Sequence, residues 1–531
     1  MNSSASVLPY EQTGAFSGLV IDYLNAAPAL QSMYHAEPNM NGLREAIAQR
    51  RSHTVNRPLL HEVFEDLYKK QASQKQKENI QSLLADTTFT ICTAHQPNIF
   101  SGYLYFVYKI LQVIRIAETM KTQMPDLHFV PVYYIGSEDN DLEELGQVKV
   151  DGVKMVWQTK QEGAVGRMRV DKALLQLITQ LEGQLGVHPH GAAMISMLRE
   201  SYQEGTTIAA ATKSLVDHLF SQYGLLVLDA DDARLKSVMK PVFANDLVQH
   251  DAYRLVTYVG EEMQHQYKVQ VNPREINLFY LIDGLRERII ENNGIYTTES
   301  GAIKMTREEI LQLLDDHPEC FSPNVVLRAL YQESILPDIA FVGGGSEIAY
   351  WLELKPMFDH FKVPLPALVL RNSFIVAKAE DEQKLKTFGL GITDLFAGEF
   401  ALIDKYVKAH SSKVLDTENE RAAATEMFKG LKVKAAAVDQ TLVQHIEALE
   451  TKLDKKLADA GKKILRAEKR KFETEKSQLL KLRNRIFPNG TLQERVDNFM
   501  PYYAMYGPGF IDMLYKHSLS LEQQFTIIAI S

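Results

Sequence analysis

The sequence predicts an α/β protein with a parallel sheet, followed by an α-helical coiled coil. Three observations point to this fold class. Apolar, strand-like runs alternate with helical segments between about residue 89 and residue 375, as in βαβ units. These runs lack a polar face, which is typical of parallel strands covered on both sides. Apolar residues spaced three or four apart form a seam over residues 442–467, and this spacing predicts a coiled coil.

The bulk composition is that of a soluble globular protein. The chain has 531 residues, of which 45% are hydrophobic and 24% charged, so two or three domains are expected. The formal net charge of -9 argues against non-specific nucleic-acid binding. We expect no membrane segment, because no apolar run approaches the length of about 18 residues that a span requires. We expect a cytoplasmic protein, since no signal peptide is visible and two cysteines cannot form a disulfide framework.

The first predicted βαβ unit carries the candidate site. It contains the strand FTICTA, a helix over about residues 102–121, and the strand over residues 129–135. In parallel sheets, ligands bind beyond the carboxyl ends of the strands. The corners at His95 and Gly136 are both such ends, so the sequence predicts a site that they share.

The next elements continue this alternation. VKVDGVKMVW predicts short strands or a hairpin, and GLLVLDADD predicts another strand with an acidic end. In NLFYLIDGLRERII, the IDG triplet predicts a hairpin turn. Thr306 and Glu309 form the pattern of a capping box, which predicts a helix start. SPNVVLRALYQESILPDIAFVGGGSEIAYWLEL then predicts helix, strand, glycine loop and helix, with the last helix directing its N-terminus at the loop.

The composition changes after about Arg371, and the seam lies in this second part. We predict one long helix over residues 442–487, about 70 Å long at 1.5 Å per residue, which ends at Pro488. Its apolar seam requires either the preceding helices (about 395–435) or a second subunit. The predicted domains are therefore an α/β core at 1–375, a coiled coil at 376–487 and a C-terminal segment at 488–531 that returns to the core.

Four stretches together resemble the cysteine-adding enzyme family of bacillithiol biosynthesis. They are HQPNIFSGYLYFVYKI, PVYYIGSEDNDLEEL, SPNVVLRALYQESILPDIAFVGGGSEIAYW and LRNRIFPNGTLQERVDNFMPYYAMYG. Their order and separation also agree with the family, and the resemblance covers nearly the whole chain. Two positions depart from it: relatives often have two glutamines at His95-Gln96, and a histidine at Asn140.

The resemblance implies a Rossmann-like parallel-sheet core with inserted connecting segments, and a coiled coil that supports a homodimer. It also implies a ligase that adds L-cysteine to the glucosamine amine of glucosaminyl-malate, with an adenine-nucleotide pocket for ATP or ADP. Two alternatives stay open. One is an adenylate-forming or nucleotidylyltransferase-like enzyme with a different acceptor, and the other is a nucleotide-binding coiled-coil scaffold.

Amide formation requires an activated carboxyl group, phosphate donors and a base for the attacking amine. The candidate catalytic residues are His95, Asp139 and Asp141. The candidates for binding substrate or nucleotide are Gln96, Asn98, Ser137, Glu138, Ser322, Asn324, Arg328, Gly343, Gly344, Gly345, Ser346 and Glu347. His95 can donate to phosphate oxygens or simply be a satisfied corner histidine, and the acids can act as a base, bind an ammonium group or coordinate Mg²⁺.

The remaining candidate residues each have a structural interpretation beside the functional one. No HxxxH or CxxC pattern lies nearby, so the sequence indicates no dedicated metal site. Arg328 can clamp a carboxylate or phosphate with two parallel bonds, or form a surface ion pair. Lys109 is expected on a solvated helix face. Arg286 and Arg288 share a strand face and can meet an anion, and Cys92 is expected to be a buried structural thiol.

Overall fold

A computed structural model of the protein describes residues 2–69, 71–413 and 415–531. These residues form two compact units, one of residues 1–375 and 493–528 and one of residues 376–492 and 529–531. Each unit is described separately below.

The first unit begins with a strand and four helices that precede the main sheet. They are β1 (Ser3–Pro9), α1 (Gly18–Leu24), α2 (Met40–Arg50), α3 (Arg57–Tyr68) and α4 (Gln74–Ser82). The next elements, up to the third strand of the main sheet, are β2 (Thr88–His95), α5 (Tyr105–Gln123), β3 (His128–Ile135), α6 (Leu142–Leu145), β4 (Gln147–Val150), β5 (Val153–Val156), α7 (Lys172–Leu185), α8 (Gly191–Ser201), α9 (Ile208–Phe220) and β6 (Leu226–Asp229).

A long segment then leads back to the main sheet. Its elements are α10 (Ala233–Ser237), α11 (Lys240–Val248), α12 (Asp251–Met263), β7 (Leu278–Ile282), β8 (Leu285–Arg288), β9 (Ile290–Asn292), β10 (Ile295–Thr297), β11 (Lys304–Thr306), α13 (Arg307–Asp316), β12 (Phe321–Pro323) and α14 (Val325–Ile335). The last two strands of the sheet and their neighbours follow as β13 (Asp338–Gly343), α15 (Gly345–Glu353), α16 (Lys355–Phe361), β14 (Ala367–Leu370) and β15 (Phe374–Lys378).

The main sheet has five strands in the order β14-β13-β2-β3-β6, and every neighbouring pair is parallel. Numbered in chain order, the strands read 3-2-1-4-5, which is the order of Rossmann folds. The direction of winding therefore reverses between β2 and β13. The predicted Rossmann-like parallel-sheet core is confirmed, and the reversal marks the point where such sheets bind ligands.

The sheet is covered on both faces, which explains its unbroken apolar strands. Ile91 of β2 and Val342 of β13 are fully buried and pack with Val113, Ile116 and Met120 of α5. A strand that is buried on both faces gains from branched apolar side chains at every position. This is why the sequence shows continuous apolar runs here.

Two inserted segments interrupt the βαβ pattern, as predicted. Between β3 and β6, strands β4 and β5 form an antiparallel hairpin. Between β6 and β13, β7 and β8 form a second hairpin across the turn at Asp283 and Gly284, and β12 pairs with β7. The predicted capping box is also present, because the Thr306 hydroxyl accepts from Glu309 N while the Glu309 carboxylate accepts from Thr306 N.

The second unit is helical. It contains α17 (Ala379–Thr387), α18 (Glu399–His410), α19 (Glu418–Val438), α20 (Thr441–Lys469) and α21 (Glu473–Ile486). Helices α19 and α20 lie antiparallel and are joined by the ion pairs Arg421–Asp454 and Lys432–Glu450, with N–O distances of 2.6 and 2.7 Å. The predicted coiled coil is confirmed, and the preceding helix supplies a partner for its seam.

The prediction of one continuous helix over residues 442–487 is wrong. A 3₁₀ turn (Arg470–Phe472) separates α20 from α21, so α20 is about 44 Å long at 1.5 Å per residue. The turn places the Phe472 ring edge-on against Tyr406, with 5.9 Å between ring centroids. This packing contact favours a break in the α-helix that the seam spacing does not show.

The C-terminal residues return to the first unit, where 493–528 are grouped with 1–375. The elements of the C-terminal residues are α22 (Met500–Tyr506), α23 (Pro508–His517) and β16 (Gln524–Ile530), and the last two residues of β16 are grouped with the second unit. Across the part of the chain that the structure describes, no helix combines the length and apolarity needed to cross a bilayer.

Candidate functional site

A cleft of about 610 Å³ lies in the first unit, where the chain winding reverses. Its walls come from the carboxyl ends of β2, β3, β13 and β14, and from α5, α14 and α15. Nine of the predicted site residues line it: His95, Gln96, Asp139, Asn324, Arg328, Gly344, Gly345, Ser346 and Glu347. The sheet thus brings together the histidine corner at His95, the acidic turn (residues 136–139) and the glycine loop (residues 343–345), as the position of the strand ends predicts.

His95 is the last residue of β2, and its ring lies in the cleft between Tyr105 and Phe106, with centroid distances of 5.4 and 5.3 Å. Its Nε2 atom is buried and has no hydrogen-bond partner. Burial, followed by the charges of Lys109 and Arg371, holds the pKa of His95 well below its usual value. The ring is therefore neutral at neutral pH and has one nitrogen available for a ligand.

Lys109 is a cleft residue, and its predicted place on a solvated face is wrong. It is 1% exposed, lies 2.5 Å from Glu347 Oε2 and donates to the Ala94 carbonyl at 2.9 Å. Burial lowers the pKa of Lys109 although Glu347 favours the charged form. A lysine within the apolar run FVYKILQVI is itself a signal, because an apolar helix face buries whatever lies on it.

The glycine loop brings backbone close to this ion pair. Glu347 Oε2 accepts from Gly344 N at 2.7 Å at the start of α15. A Cβ atom on Gly344 would lie 3.3 Å from that carboxylate and 3.4 Å from Arg371 Nε, so the approach favours glycine. The first turn of α15 faces the cleft, where backbone N–H groups attract anions.

Two guanidinium groups form the opposite wall. Arg286 donates to Ser322 Oγ at 2.9 Å and to Asn140 Oδ1 at 3.1 Å, and its charge lies 3.9 Å from the centre of the Phe279 ring. Burial, with repulsion from Arg328, lowers the pKa of Arg286 to about 10. A buried cation without a close carboxylate is costly, so this wall favours an anionic ligand.

Asp139 is the acid of this wall. Its Oδ2 accepts from Gln96 Nε2 at 3.3 Å and lies 3.7 Å from Arg328 Nη1. Burial alone would raise the pKa of Asp139, but Arg328 and Arg286 more than offset this and its pKa lies below the usual value. Asp139 is therefore a carboxylate at neutral pH.

Arg371 follows β14 and was not singled out from the sequence. Its guanidinium lies 2.7 Å from Glu494 and 4.9 Å from the centre of the Tyr105 ring. Arg495, the next residue after Glu494, lines the cleft and is exposed. Arg371 follows the carboxyl end of a parallel strand, so the strand-end rule that identified His95, namely that ligands bind beyond these ends, also predicts Arg371. No sequence pattern around Arg495 indicates that it lines the cleft.

The corner after β2 is strained and is held from the C-terminal segment. Phe100, Ser101 and Gly102 all have positive φ angles of 53°, 69° and 67°, a conformation that L-residues rarely adopt. The Asn498 amide donates to the carbonyls of Phe100 and Gly102, and the Tyr202 hydroxyl accepts from Phe100 N at 2.8 Å. These contacts fix the path of the chain between His95 and α5.

Six predicted site residues do not line the cleft, and each has a structural partner or place instead. Asn98 is buried against Gly102, and the Gly343 carbonyl accepts from Arg371 N. Ser322 accepts from Arg286. These three support the cleft walls from behind.

The other three are Ser137 and Glu138, which lie in the acidic turn (residues 136–139), and Asp141, which follows it. Ser137 Oγ donates to Asp229 at 2.6 Å, and Glu138 pairs with Lys236 at 2.5 Å. Asp141 is exposed and caps α6 by accepting from Glu144 N at 3.0 Å. Asp139 is therefore the acid of this turn that faces the cleft.

Asn324 lines the cleft, but its amide is largely engaged in structure. Its Oδ1 caps α14 by accepting from Val326 N and Leu327 N, and its Nδ2 donates to Asn277 Oδ1 at 2.9 Å.

Cys92 is fully buried, and burial raises the pKa of its thiol well above the usual value. Among the residues that the structure describes, no three His, Cys, Asp or Glu side chains are arranged to hold a metal ion.

Comparison with known proteins identifies relatives over almost the full length of the chain. Two family models match, namely the N-terminal Rossmann-like domain of bacillithiol biosynthesis BshC over residues 4–372 and its C-terminal coiled-coil domain over residues 374–530. Proteins of Flavobacterium psychrophilum and Christiangramia forsetii are each 36% identical, over 98% of this chain and 98% of their own length. A protein of Cytophaga hutchinsonii is 36% identical over 94% of both chains, and all three carry the name "Putative cysteine ligase BshC".

Proposed function

Because the chain belongs to the BshC family of bacillithiol biosynthesis, we propose that it is a ligase that joins L-cysteine to glucosaminyl-malate. The carboxyl group of cysteine forms an amide with the glucosamine amine, with the help of an adenine nucleotide. This would be the last step of bacillithiol biosynthesis. A cytoplasmic homodimer, assembled through the coiled coil, is part of the same proposal.

The observation that carries this proposal is the cation-rich cleft at the point where the winding of the sheet reverses. Lys109, Arg286, Arg328, Arg371 and Arg495 line it, against three carboxylates from Asp139, Glu144 and Glu347. Activation of a carboxylate as an adenylate or acyl phosphate places negative charge on phosphate oxygens. Oriented cations and backbone N–H groups stabilise that charge.

The neutral ring of His95 suits a proton acceptor for the attacking amine. When the amine nitrogen attacks the activated carboxyl carbon, the C–N bond forms and the nitrogen becomes acidic. Nε2 can then take the proton while the phosphate-containing group leaves with the electron pair of the broken C–O bond. The unpartnered state of Nε2 leaves it free for this contact.

Asp139 and Arg328 suit the recognition of a substrate with both charges. The Arg328 guanidinium can bind a carboxylate with two parallel hydrogen bonds, and the Asp139 carboxylate can accept from an ammonium group. If the nucleotide enters with Mg²⁺, the Asp139 carboxylate would be a candidate ligand for the ion, because Mg²⁺ is commonly held by one or two carboxylates together with phosphate oxygens.

The dimer proposal is supported by the apolar residues that α20 leaves exposed. Leu442, Leu449 and Ile464 are 43%, 41% and 45% exposed although α19 packs against the same helix. Seam positions at this spacing favour a further helix as partner.

Incubation of the purified protein with L-cysteine, glucosaminyl-malate, ATP and Mg²⁺ tests the proposal. We expect a new thiol with the mass of the amide, detected by mass spectrometry after thiol labelling. Omission of ATP tests nucleotide assistance. Pyrophosphate release with another acid and no amide from glucosaminyl-malate would replace the proposal with an adenylate-forming enzyme, and nucleotide binding without turnover would leave a scaffold.

A further inference from the structure

A network of four charged side chains lies behind the acidic turn, of which Lys236, Glu138 and Asp231 are buried and Arg167 is 26% exposed. Lys236 Nζ lies 2.5 Å from Glu138 Oε1 and 2.8 Å from Asp231 Oδ1, and it also donates to the Glu319 carbonyl. Arg167 donates two parallel bonds to Asp231, at 2.6 and 2.8 Å. The Lys236 side chain is fully shielded from solvent. We call Arg167, Asp231, Lys236 and Glu138 the charge network.

The loop that carries Arg167 also holds the backbone of the acidic turn. Val165 N donates to the Asp139 carbonyl and Gly166 N donates to the Ser137 carbonyl, both at 2.8 Å. A Cβ atom on Gly166 would lie 2.5 Å from the Ser137 carbonyl oxygen, so this approach requires glycine. The loop and the charge network therefore fix the turn from the side opposite the cleft.

We propose that Lys236 is a positioning residue, whose buried ammonium group fixes the acidic turn so that the Asp139 carboxylate is presented to the substrate beside Arg328. This inference rests on the proposed function for its consequence on turnover. Glu138 is held by Lys236 on one side of the turn, and Asp139, the next residue, faces the cleft. Loss of the Lys236 contact leaves the Glu138 side chain without its partner. The backbone of the turn is then less restrained, so the Asp139 carboxylate is no longer held in one orientation towards the cleft.

Stability alone gives no reason for such a network. Exchange of a buried ion pair for apolar side chains is often neutral or stabilising, although removal of one partner costs about 3–5 kcal/mol. A network that bridges Glu138 of the turn to Asp231, just after β6, instead ties two strand ends together at the edge of the sheet that holds the cleft. Its location is what suggests a role in positioning.

The chain contains a matched control at the opposite edge of the sheet. Arg50 pairs with Glu333 at 2.5 Å, and the two side chains are 2% and 0% exposed. Arg50 also donates to the carbonyl of Asp338, the first residue of β13. This pair is as buried as Lys236 and Glu138 of the charge network but lies at the amino ends of the strands, away from the cleft.

The test uses the full-length protein with Lys236→Met and, as the control, Arg50→Met. The first readout is the pKa of the Asp139 carboxyl, followed by ¹³C NMR and assigned with Asp139→Asn. The second is the split between kcat and KM for ligation. The titratable and charged groups that face Asp139 from the surrounding elements are unchanged in both variants; they are Arg328, Arg286, Glu144, Asp141 and the neutral ring of His95.

We expect Lys236→Met to raise the pKa of Asp139 towards the ordinary value of about 3.9, because the carboxylate moves from Arg328, and to lower kcat at least tenfold. Arg50→Met should lower stability to a similar extent but leave both readouts unchanged. If Lys236→Met does not fold, the double variant Glu138→Gln, Lys236→Met retains the Arg167–Asp231 pair without an unpaired charge and should show the same shift.

An unchanged Asp139 pKa and kcat in a folded Lys236 variant would overturn the inference, as would an equal shift in Arg50→Met. Failure of the proposed function gives a different result. In that case the wild-type protein forms no amide product, while the NMR titration still decides whether Lys236 positions Asp139.

Discussion

Replacement of His95 tests the chemistry of the cleft most directly. His95→Ala and His95→Gln should each lower kcat for amide formation by about 10²–10⁴-fold, the usual contribution of a general base. This equals about 2.7–5.4 kcal/mol at 1.36 kcal/mol per tenfold. Gln retains hydrogen-bonding capacity but cannot take the proton, so it separates proton transfer from hydrogen bonding alone.

The structure also gives the expected cost in stability. Because Nε2 has no partner, loss of the ring breaks no structural hydrogen bond at that atom. The ring contacts with Tyr105 and Phe106 contribute about 0.5–1.5 kcal/mol each, so His95→Gln should lower the free energy of unfolding by about 1–3 kcal/mol. The protein therefore stays folded while activity is lost.

The assay is product formation at saturating substrates across pH 5–9, with urea unfolding of the same samples. Burial and the charges of Lys109 and Arg371 depress the pKa of His95, so activity should fall only as the pH drops below 6.5. His95→Gln turnover within threefold of wild type would refute the assignment of proton transfer to this ring. An acidic limb centred above pH 6.5 would contradict its neutral state.

Three further predictions concern binding, stability and assembly. Arg328→Met should raise the KM of the anionic substrate at least about 10-fold, because each of the two charge-assisted hydrogen bonds that are lost contributes about 1.5–3 kcal/mol, whereas Arg44→Met, at an exposed position, should not; equal KM values would place Arg328 outside the site. Burial raises the pKa of Asp246 to about 7, so the stabilisation from the protonated Asp246 carboxyl is present near pH 4 and is lost as the pH rises to 7. Asp246→Asn should therefore flatten the decline in the urea midpoint between pH 4.5 and 7.5. An unaltered slope would exclude Asp246 as the source of that decline. Deletion of residues 440–486 should give a monomer by light scattering, and a dimer would contradict assembly through the seam.

The fold was predictable because its signals are local. Parallel strands buried on both faces leave apolar runs, and the Thr306–Glu309 capping box spans four residues. The break at Arg470–Phe472 was not predictable, since it depends on Phe472 packing against Tyr406, 66 residues earlier in the chain. The spacing of apolar residues along a helix gives no information about long-range contacts of this kind.

The location of the cleft was also predictable, but the side chains that point into it were only partly so. The strand-end rule placed His95 and Asp139 together, yet it could not separate Asp139 from Glu138, which faces Lys236. Lys109 was misplaced because its partner Glu347 lies 238 residues further along the chain. Direction and pairing are set by packing that no short window of sequence contains.

The hydrogen bonds from Asn498 to the strained corner after β2 have a consequence for folding during synthesis on the ribosome. The corner at Phe100 and its clamp are 398 residues apart in sequence. At synthesis rates of about 5–20 residues per second, about 20–80 seconds pass between the synthesis of Phe100 and the synthesis of Asn498, which stabilises the corner. A nascent chain that already contains all five strands of the main sheet thus still lacks the hydrogen bonds that fix the corner beside the cleft, and it gains them only when Asn498 has been synthesised.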